Sequence, residues 1–216
     1  MFEVKQKSWI FFLIPLIQVF GCIKYIDSLD RLISFLIFII ACAIVSMTIY
    51  HSVKFIDLKY NIYKITTCSW VIVLLVSIDQ AIKIILEYTG FNGKVIGEFV
   101  MIKQTHNINQ TALFNCFNIE LDRWIVLLFK VFVFAVLLCL YKKIKTKDAM
   151  IAFILLITAQ ISNILDTIIR NYTLDYIYFY RLTCYDFKDF LVDAGVASFL
   201  VSFISNNLKK YKETTT

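Results

Sequence analysis

Proline is nearly absent from this chain and histidine is rare: Pro15 is the only proline, and 216 residues contain two histidines. Charged residues make up 18% of the sequence, whereas hydrophobic residues make up 60%. This balance excludes a disordered chain and an ordinary soluble domain. The six cysteines form no CxxC pair, and no histidine lies at metal-ligand spacing from them. We therefore expect no metal centre and no other cofactor.

Six segments are apolar over about 20 residues, the length that spans a bilayer. They are residues 8–26, 32–50, 69–88, 123–141, 149–169 and 189–206. Lipid offers the backbone no hydrogen-bond partner, so each segment is predicted to be a helix. The expected fold class is an all-α polytopic membrane protein with six transmembrane helices. An accessory N-terminal hairpin with its connector (1–68) precedes a four-helix core (69–208) and a cytoplasmic tail (209–216).

Basic residues cluster at alternate ends of the predicted helices. One side of the membrane receives the basic segments 5–7, 54–64, 142–147 and 209–212. The positive-inside rule makes this side cytoplasmic, so both termini are predicted to be cytoplasmic. The net charge of +6 thus reports membrane topology, and no nucleic-acid partner is expected. The first helix is expected to be retained, because no small-x-small cleavage site follows it.

The opposite, extracytoplasmic side receives the turn 27–31 and the loops 89–122 and 170–188. In the loop 89–122, three glycines precede or adjoin an apolar-rich run from Glu98 to Lys103. This pattern predicts a small β element on the membrane surface. Cys116 and Cys184 both fall in outer loops. They can form a disulfide with each other or remain free thiols, and both alternatives stay open.

Polar side chains appear within the predicted spans from the third helix onward. Asp79 and Lys83 are four residues apart on one helix face and can form an ion pair within the membrane. On the fifth helix, Asn163, Asp166 and Arg170 share one stripe. Charged residues are expensive in lipid, so these positions are expected to serve a function.

Asp166 and Asp193 are predicted to lie on adjacent antiparallel helices, at matching depth below the outer surface. Two close carboxylates in a low dielectric cannot both ionise, so one acid keeps its proton. The ionised acid can then activate water while the neutral acid protonates a peptide carbonyl, which is the aspartic-protease scheme. Asp189 lies one turn nearer water than Asp193, and we assign it a solvated role.

Several motifs, in the expected order, resemble those of the lipoprotein signal peptidases (signal peptidase II), which are membrane aspartic endopeptidases with four core helices. Residues 162–166 (SNILD) resemble the family's GNxxD, and residues 191–194 (LVDA) resemble its VADS. Residues 79–83 (DQAIK) and 109–114 (NQTALF) are similar to DQxxK and NxGAAF. Residues 174–180 (LDYIYFY) resemble VDFIDFY.

The resemblance implies that Asp166 and Asp193 are the catalytic acids. It implies substrate-binding or supporting roles for Asp79, Gln80, Lys83, Asn109, Asn163, Arg170 and Asp175. The substrate would be a diacylglyceryl-prolipoprotein in the bacterial inner membrane, cut before its lipid-modified cysteine near the extracytoplasmic face. This substrate and membrane lipids are the expected partners, and the protein is expected to be a monomer.

The chain also departs from the family pattern. Ala159 and Gln160 replace paired glycines, and Phe190 replaces the asparagine of the second catalytic motif. Thr167 stands where the family has an arginine, for which Arg170, one turn on, is a candidate substitute. Both acids are retained, which indicates a divergent or specialised member.

Three other interpretations stay open. Asp166 and Asp193 can be hydrogen-bonded helix-end residues without chemistry. A small transporter or proton-coupled carrier would use the acids along the bundle, although the nearly all-apolar residues 131–140 and 197–204 disfavour a polar path. A non-cleaving paralogue that binds lipidated peptides is the third interpretation, which the missing glycines favour.

Overall fold

The computed structural model describes residues 8–20, 28–107, 122–141, 143–180 and 182–215. Within these residues the chain forms six α-helices and four β-strands. The helices are α1 (Ile10–Phe20), α2 (Leu29–Tyr60), α3 (Ile65–Thr89), α4 (Arg123–Tyr141), α5 (Lys147–Ile169) and α6 (Phe187–Thr215). The strands are β1 (Gly93–Ile96), β2 (Val100–Asn107), β3 (Thr173–Phe179) and β4 (Thr183–Tyr185).

Four helices, α2 to α5, are long and apolar enough to cross a membrane. They correspond to four of the six predicted spans. The sixth predicted span, 189–206, lies within α6, and α1 covers part of the first, whose residues 21–26 lie outside the described part of the chain. The protein is therefore a mostly helical membrane protein, and six spans stay a prediction.

The helix α2 is longer than predicted and occupies most of the expected connector 51–68. It ends at Tyr60, where Asn61 takes a positive φ of 55°. Asparagine tolerates this left-handed backbone better than most residues. The Asp57 carboxylate accepts a hydrogen bond of 3.0 Å from the backbone N–H of Ile62. This contact stabilises the short turn before α3.

The four strands form one antiparallel sheet in the order β1-β2-β3-β4. The strand predicted between Glu98 and Lys103 is present as β2, shifted and extended to Asn107. The segment 170–188 was interpreted as a loop, but it contributes β3 and β4. It lacks the glycine and proline that usually mark a hairpin, and its pairing with β2 decides its conformation. The predicted small β element is thus present, and the segment 170–188 adds two strands to it.

The helix α5 lies at the centre of the fold and packs against α3, α4 and α6. Its approach to α6 is close because Gly195 has no side chain. A Cβ atom at Gly195 would lie 2.8 Å from Cγ of Leu156 and 3.3 Å from the carbonyl oxygen of Ala152. Close packing here brings the end of α5 beside the start of α6, where the polar residues lie.

The N-terminal helices α1 and α2 pack against α6 and share the same hydrophobic core. The Phe38 ring contacts Tyr185 edge-on, with ring centroids 5.2 Å apart. At the other end of α2, the Tyr50 hydroxyl donates a 2.8 Å hydrogen bond to Asp148. The predicted accessory hairpin is thus anchored to the core at both ends of α2.

Candidate active site

A buried lysine, Lys83, lies at the centre of the polar site. Its ammonium nitrogen Nζ is 2.8 Å from Oδ2 of Asp79, one turn earlier on α3. The same nitrogen is 2.6 Å from Oδ2 of Asp166 on α5 and 2.9 Å from Oδ2 of Asp186, just before α6. All four side chains are fully buried. Buried charges need partners, and here one cation joins three anions. The predicted Asp79–Lys83 ion pair is confirmed.

Arg170 supplies a second cation at the end of α5. Its Nη1 donates to Oδ1 of Asp166 at 3.3 Å and to Oε1 of Gln80 at 2.6 Å. Its Nε lies 3.0 Å from both carboxylate oxygens of Glu87. Gln80 also donates to Oδ1 of Asp166, at 3.2 Å. Both oxygens of Asp166 are therefore occupied, one by Lys83 and the other by Gln80 and Arg170.

A group of three acids, Asp175, Asp186 and Asp189, forms the second part of the site. One carboxylate oxygen of each lies within 4.8 Å of one oxygen of each of the others. Asp175 comes from β3, Asp186 directly precedes α6, and Asp189 lies in its first turn. The backbone N–H of Asp189 donates to Oδ1 of Asp186 at 3.2 Å, and the N–H of Asp186 donates to Oδ2 of Asp189 at 3.0 Å. This reciprocal capping fixes the helix start, where negative charge is favourable.

Lys188 brings a third cation between the two parts of the site. Its Nζ is hydrogen-bonded to the Asp186 carboxylate. The same nitrogen lies 3.6 Å from Oδ1 of Asp175 and 3.9 Å from Oδ2 of Asp166. The Lys188 side chain is buried, so these ion pairs are poorly screened by water.

Asp175 and Asp186 respond differently to this environment. Burial raises the pKa of Asp175 to about 6, and the nearby Lys188 opposes the rise only in part. Burial also opposes the ionisation of Asp186, but the ammonium groups of Lys188 and Lys83 prevail and hold its pKa below the usual range. Asp186 is therefore an anion at neutral pH. Asp175 gains or loses its proton near pH 6, close to neutral pH.

Access to water separates the acids further. Asp79, Asp166 and Asp186 are fully buried, whereas Asp175 is 8% exposed and Asp189 is half-buried. Two O–H···O hydrogen bonds of about 2.7–2.8 Å reach across roughly 5.5 Å. One water can therefore bridge Asp175 and Asp189. These two are the least buried acids of the group.

The structure does not bring Asp166 and Asp193 together. Oδ1 of Asp193 accepts a 2.6 Å hydrogen bond from Nε2 of Gln18 on α1, and its Oδ2 lies 3.2 Å from the Tyr185 hydroxyl. The same hydroxyl lies 2.5 Å from Oε1 of Gln18. Within the described residues, no hydrogen bond or ion pair joins Asp193 to Asp166, and the two share no partner. The two acids therefore have separate partners, and their predicted catalytic role stays a prediction.

The other predicted site residues divide between the described and undescribed parts of the chain. The backbone carbonyl of Asn163 accepts a 3.2 Å hydrogen bond from Nζ of Lys130 on α4. Lys130 also donates to the Thr167 hydroxyl at 2.6 Å. Lys130 and Arg170 thus lie beside Thr167 and Asp166, and the substitution of the family's arginine by Arg170 stays a prediction. Asn109 lies outside the described residues.

Three carboxylates arranged like Asp175, Asp186 and Asp189 resemble the oxygen ligands of a hard divalent cation. Here two ammonium groups already neutralise Asp186, those of Lys83 and Lys188. The arrangement is therefore that of an ion-paired acid group, and the absence of a metal stays a prediction.

A family model described as signal peptidase (SPase) II matches residues 71–205, which include every acid and lysine of the site. The chain belongs to the signal peptidase II family. Two solved structures, each described as a bacterial membrane enzyme, share its fold. One is 20% identical with a TM-score of 0.60, covering 68% of this chain and 93% of its own. The other is 20% identical with a TM-score of 0.57, covering 65% and 94%. No curated protein sequence matches the chain.

Membership in the signal peptidase II family makes this protein a membrane protease of the lipoprotein-processing class. The family resemblance found in the sequence is thereby confirmed. The matched region begins within α3, so α1 and α2 lie outside it. Gln18 on α1 nevertheless contacts Asp193 inside that region.

Sequence reasoning missed two residues of this signal peptidase II site, Asp186 and Lys188, and it assigned Asp189 to the solvated surface. A signal was present in residues 186–189 (DFKD), which place three charges at the start of an apolar helix. Such density of charge at the mouth of a predicted span is unusual in lipid and indicates a polar site. No pattern in the sequence pointed to Gln18.

Proposed function

We propose that this signal peptidase II member is an aspartic endopeptidase of the bacterial inner membrane. It removes signal peptides from diacylglyceryl-prolipoproteins by cutting before the lipid-modified cysteine. One observation carries the proposal: the carboxylates of Asp175 and Asp189 lie within 4.8 Å of each other in a mostly buried site. Two acids at this separation can hold one water and one proton between them.

In the proposed reaction, Asp175 acts as the general base and Asp189 as the general acid. The Asp175 carboxylate takes a proton from the bridging water, and the resulting hydroxide attacks the peptide carbonyl carbon. Asp189 gives its proton to the carbonyl oxygen. The tetrahedral intermediate then collapses: one of its hydroxyl groups returns a proton to Asp189, Asp175 passes its proton to the leaving nitrogen, and the C–N bond breaks. With a pKa of about 6, Asp175 is mostly ionised at neutral pH, as a base must be. Asp189 lies beside the carboxylates of Asp175 and Asp186, which favours its protonated form.

The remaining charged residues support the two acids. Lys83 balances Asp79, Asp166 and Asp186 and so keeps the framework of α3, α5 and α6 together. Arg170 locks the end of α5 to α3 through Glu87. These buried contacts preorganise the site, which reduces the reorganisation needed during reaction.

The membrane setting follows from the chemistry of the substrate. Both termini are proposed to be cytoplasmic, with the site near the extracytoplasmic face and the sheet β1–β4 over it. There the acyl chains of a lipidated substrate can stay in the hydrocarbon while the scissile peptide reaches water. A monomer satisfies this scheme, because one chain supplies both acids.

The proposal is tested with four matched Asp→Asn variants, at positions 166, 175, 189 and 193, purified in detergent and supplied with a lipidated precursor. Asp175→Asn and Asp189→Asn are expected to abolish cleavage, and Asp166→Asn to weaken it by disturbing Lys83. The exposed Asp30→Asn is the control and is expected to cleave like the parent. If positions 166 and 193 prove essential while 175 and 189 do not, the acid pair is the one expected from sequence, and our assignment fails.

One observation favours a second candidate, a family member that binds lipidated peptides without cutting them. The Lys188 ammonium lies within ion-pair distance of Asp175, where it competes with water for the acid group. If the protein does not cleave, the parent and Asp189→Asn should bind a lipopeptide with equal affinity in the same detergent solution. It would release no product at any pH.

A further inference from the structure

Lys188 is an unusual residue for an acid-based protease site, because it places a buried cation among the acids. Its Nζ is bonded to Asp186 and lies 3.6 Å from Asp175 and 3.9 Å from Asp166. Within the described residues, the contact with Lys188 is the one ion pair that Asp175 makes. Lys83 neutralises the other side of the site and does not replace this contact.

Charged and titratable groups face Lys188 from every neighbouring element. They are Asp175 and Tyr176 of β3, Asp186 and Asp189 at the start of α6, Asp166 of α5, Asp79 and Lys83 of α3, and Lys130 of α4. Five of these groups are carboxylic acids. Besides Lys188, Lys83 forms ion pairs with Asp79, Asp166 and Asp186, and Arg170 forms one with Asp166. Lys188 therefore decides whether the acid group carries a large excess of negative charge.

We propose that Lys188 is an internal counter-ion, a positioning residue that favours the ionised forms of Asp175 and Asp186 and so sets the pH range over which the protease cuts. The link to cleavage rests on the proposed function, whereas the effect on the acids does not. An ammonium group at this distance stabilises carboxylate over carboxylic acid. Since the proposed reaction requires Asp175 to be ionised, Lys188 moves the working range toward lower pH.

The size of the effect follows from the separation of the charges. An opposite charge within about 4–6 Å moves the titration of a carboxyl group by roughly 1–3 pH units. Replacing Lys188 by methionine keeps the length of the side chain and removes its charge. Both the cleavage profile and the protonation of the acids are therefore expected to move upward by about 1–3 pH units.

The experiment compares full-length wild-type protein with Lys188→Met, Lys188→Arg and Lys94→Met in detergent. Two quantities are measured against pH: the rate of precursor cleavage, and the infrared band of protonated carboxylic acids. In Lys188→Met both curves are expected to move to higher pH. Lys188→Arg keeps the cation, so its infrared titration should follow that of the wild type. Lys94 is exposed on β1 and pairs only with Glu98 among the described residues, so Lys94→Met should leave both curves unmoved.

Two results would overturn the proposal: unchanged curves in Lys188→Met, or an equal shift in Lys188→Arg, which would make volume rather than charge the cause. An infrared shift in a protein that cleaves no precursor at any pH would count against the proposed function while supporting the counter-ion. If Lys188→Met alone does not fold, Asp186→Asn is compared with the double variant Asp186→Asn/Lys188→Met. The acids of the double variant should then protonate at higher pH than those of the single variant, and coinciding infrared titrations would again overturn the proposal.

Discussion

Replacing Asp175 by asparagine should stabilise the protein while abolishing its activity. Burial raises the pKa of this acid from 3.8 to about 6, a rise of about two units. Each unit corresponds to about 1.4 kcal/mol, so ionised Asp175 costs the folded protein about 3 kcal/mol. The side chain is only 12% exposed, so solvent does not screen most of this cost. Asparagine has a similar shape and carries no charge, and it should recover most of that free energy.

The sign of the effect depends on pH. Asp175 of the unfolded chain loses its proton near pH 4, whereas in the folded protein it does so near pH 6. Between these values the unfolded state binds fewer protons, so stability falls as the pH rises through this window. The penalty is complete above pH 6 and absent below pH 4. The advantage of Asp175→Asn should therefore be about 3 kcal/mol at pH 7.5 and close to zero at pH 4.

Reversible unfolding by a denaturing detergent, followed by circular dichroism at pH 4 and pH 7.5, measures this difference. Asp30→Asn at the exposed start of α2 is the control and should change stability little at either pH. A variant at position 175 that is less stable than the parent at pH 7.5 would refute the reasoning. A gain of equal size at both pH values would do the same, because it would not depend on ionisation.

Two further predictions concern the framework around the acids. Lys83→Met leaves three buried carboxylates without their shared cation, a change that costs about 3–5 kcal/mol. We expect little folded protein in size-exclusion chromatography, whereas Lys94→Met should elute like the parent, and a normal melting temperature for Lys83→Met would contradict this. Gly195→Ala should cost about 1–3 kcal/mol, because its new methyl group would lie 2.8 Å from Leu156. Adding Leu156→Ala should cost less in this variant than in the parent, and strictly additive unfolding free energies would disprove the steric cause.

Local geometry accounts for the parts of the site that could be predicted from sequence. Asp79 and Lys83 are four residues apart, and any α-helix places such residues on one face. Their ion pair therefore needs no knowledge of the rest of the fold, and it is present at 2.8 Å. The membrane helices were also predictable, because their length and apolar composition are local properties.

Tertiary contacts decided the rest. The strands β3 and β4 have no turn signal between them, and β3 is held by pairing with β2, which lies about 70 residues earlier in the chain. Helical spacing placed Asp189 and Asp193 on one face of α6, but it could not tell which neighbour each turn would meet. The turn of Asp189 meets the acids of the site, whereas the turn of Asp193 meets Gln18 of α1.

The unequal lengths of the membrane helices determine how this protein responds to bilayer thickness. At about 1.5 Å per residue, the 32 residues of α2 measure about 48 Å and the 19 residues of α4 about 28 Å. The hydrocarbon layer is about 30 Å thick. The helix α2 is therefore much longer than this layer, whereas α4 is no longer than it. In lipids with longer acyl chains, α4 is shorter than the hydrocarbon layer, and local thinning of the bilayer is one way to accommodate it. Lys130 joins α4 to Thr167 next to Asp166. We therefore expect acyl-chain length to affect the acid framework through this short helix.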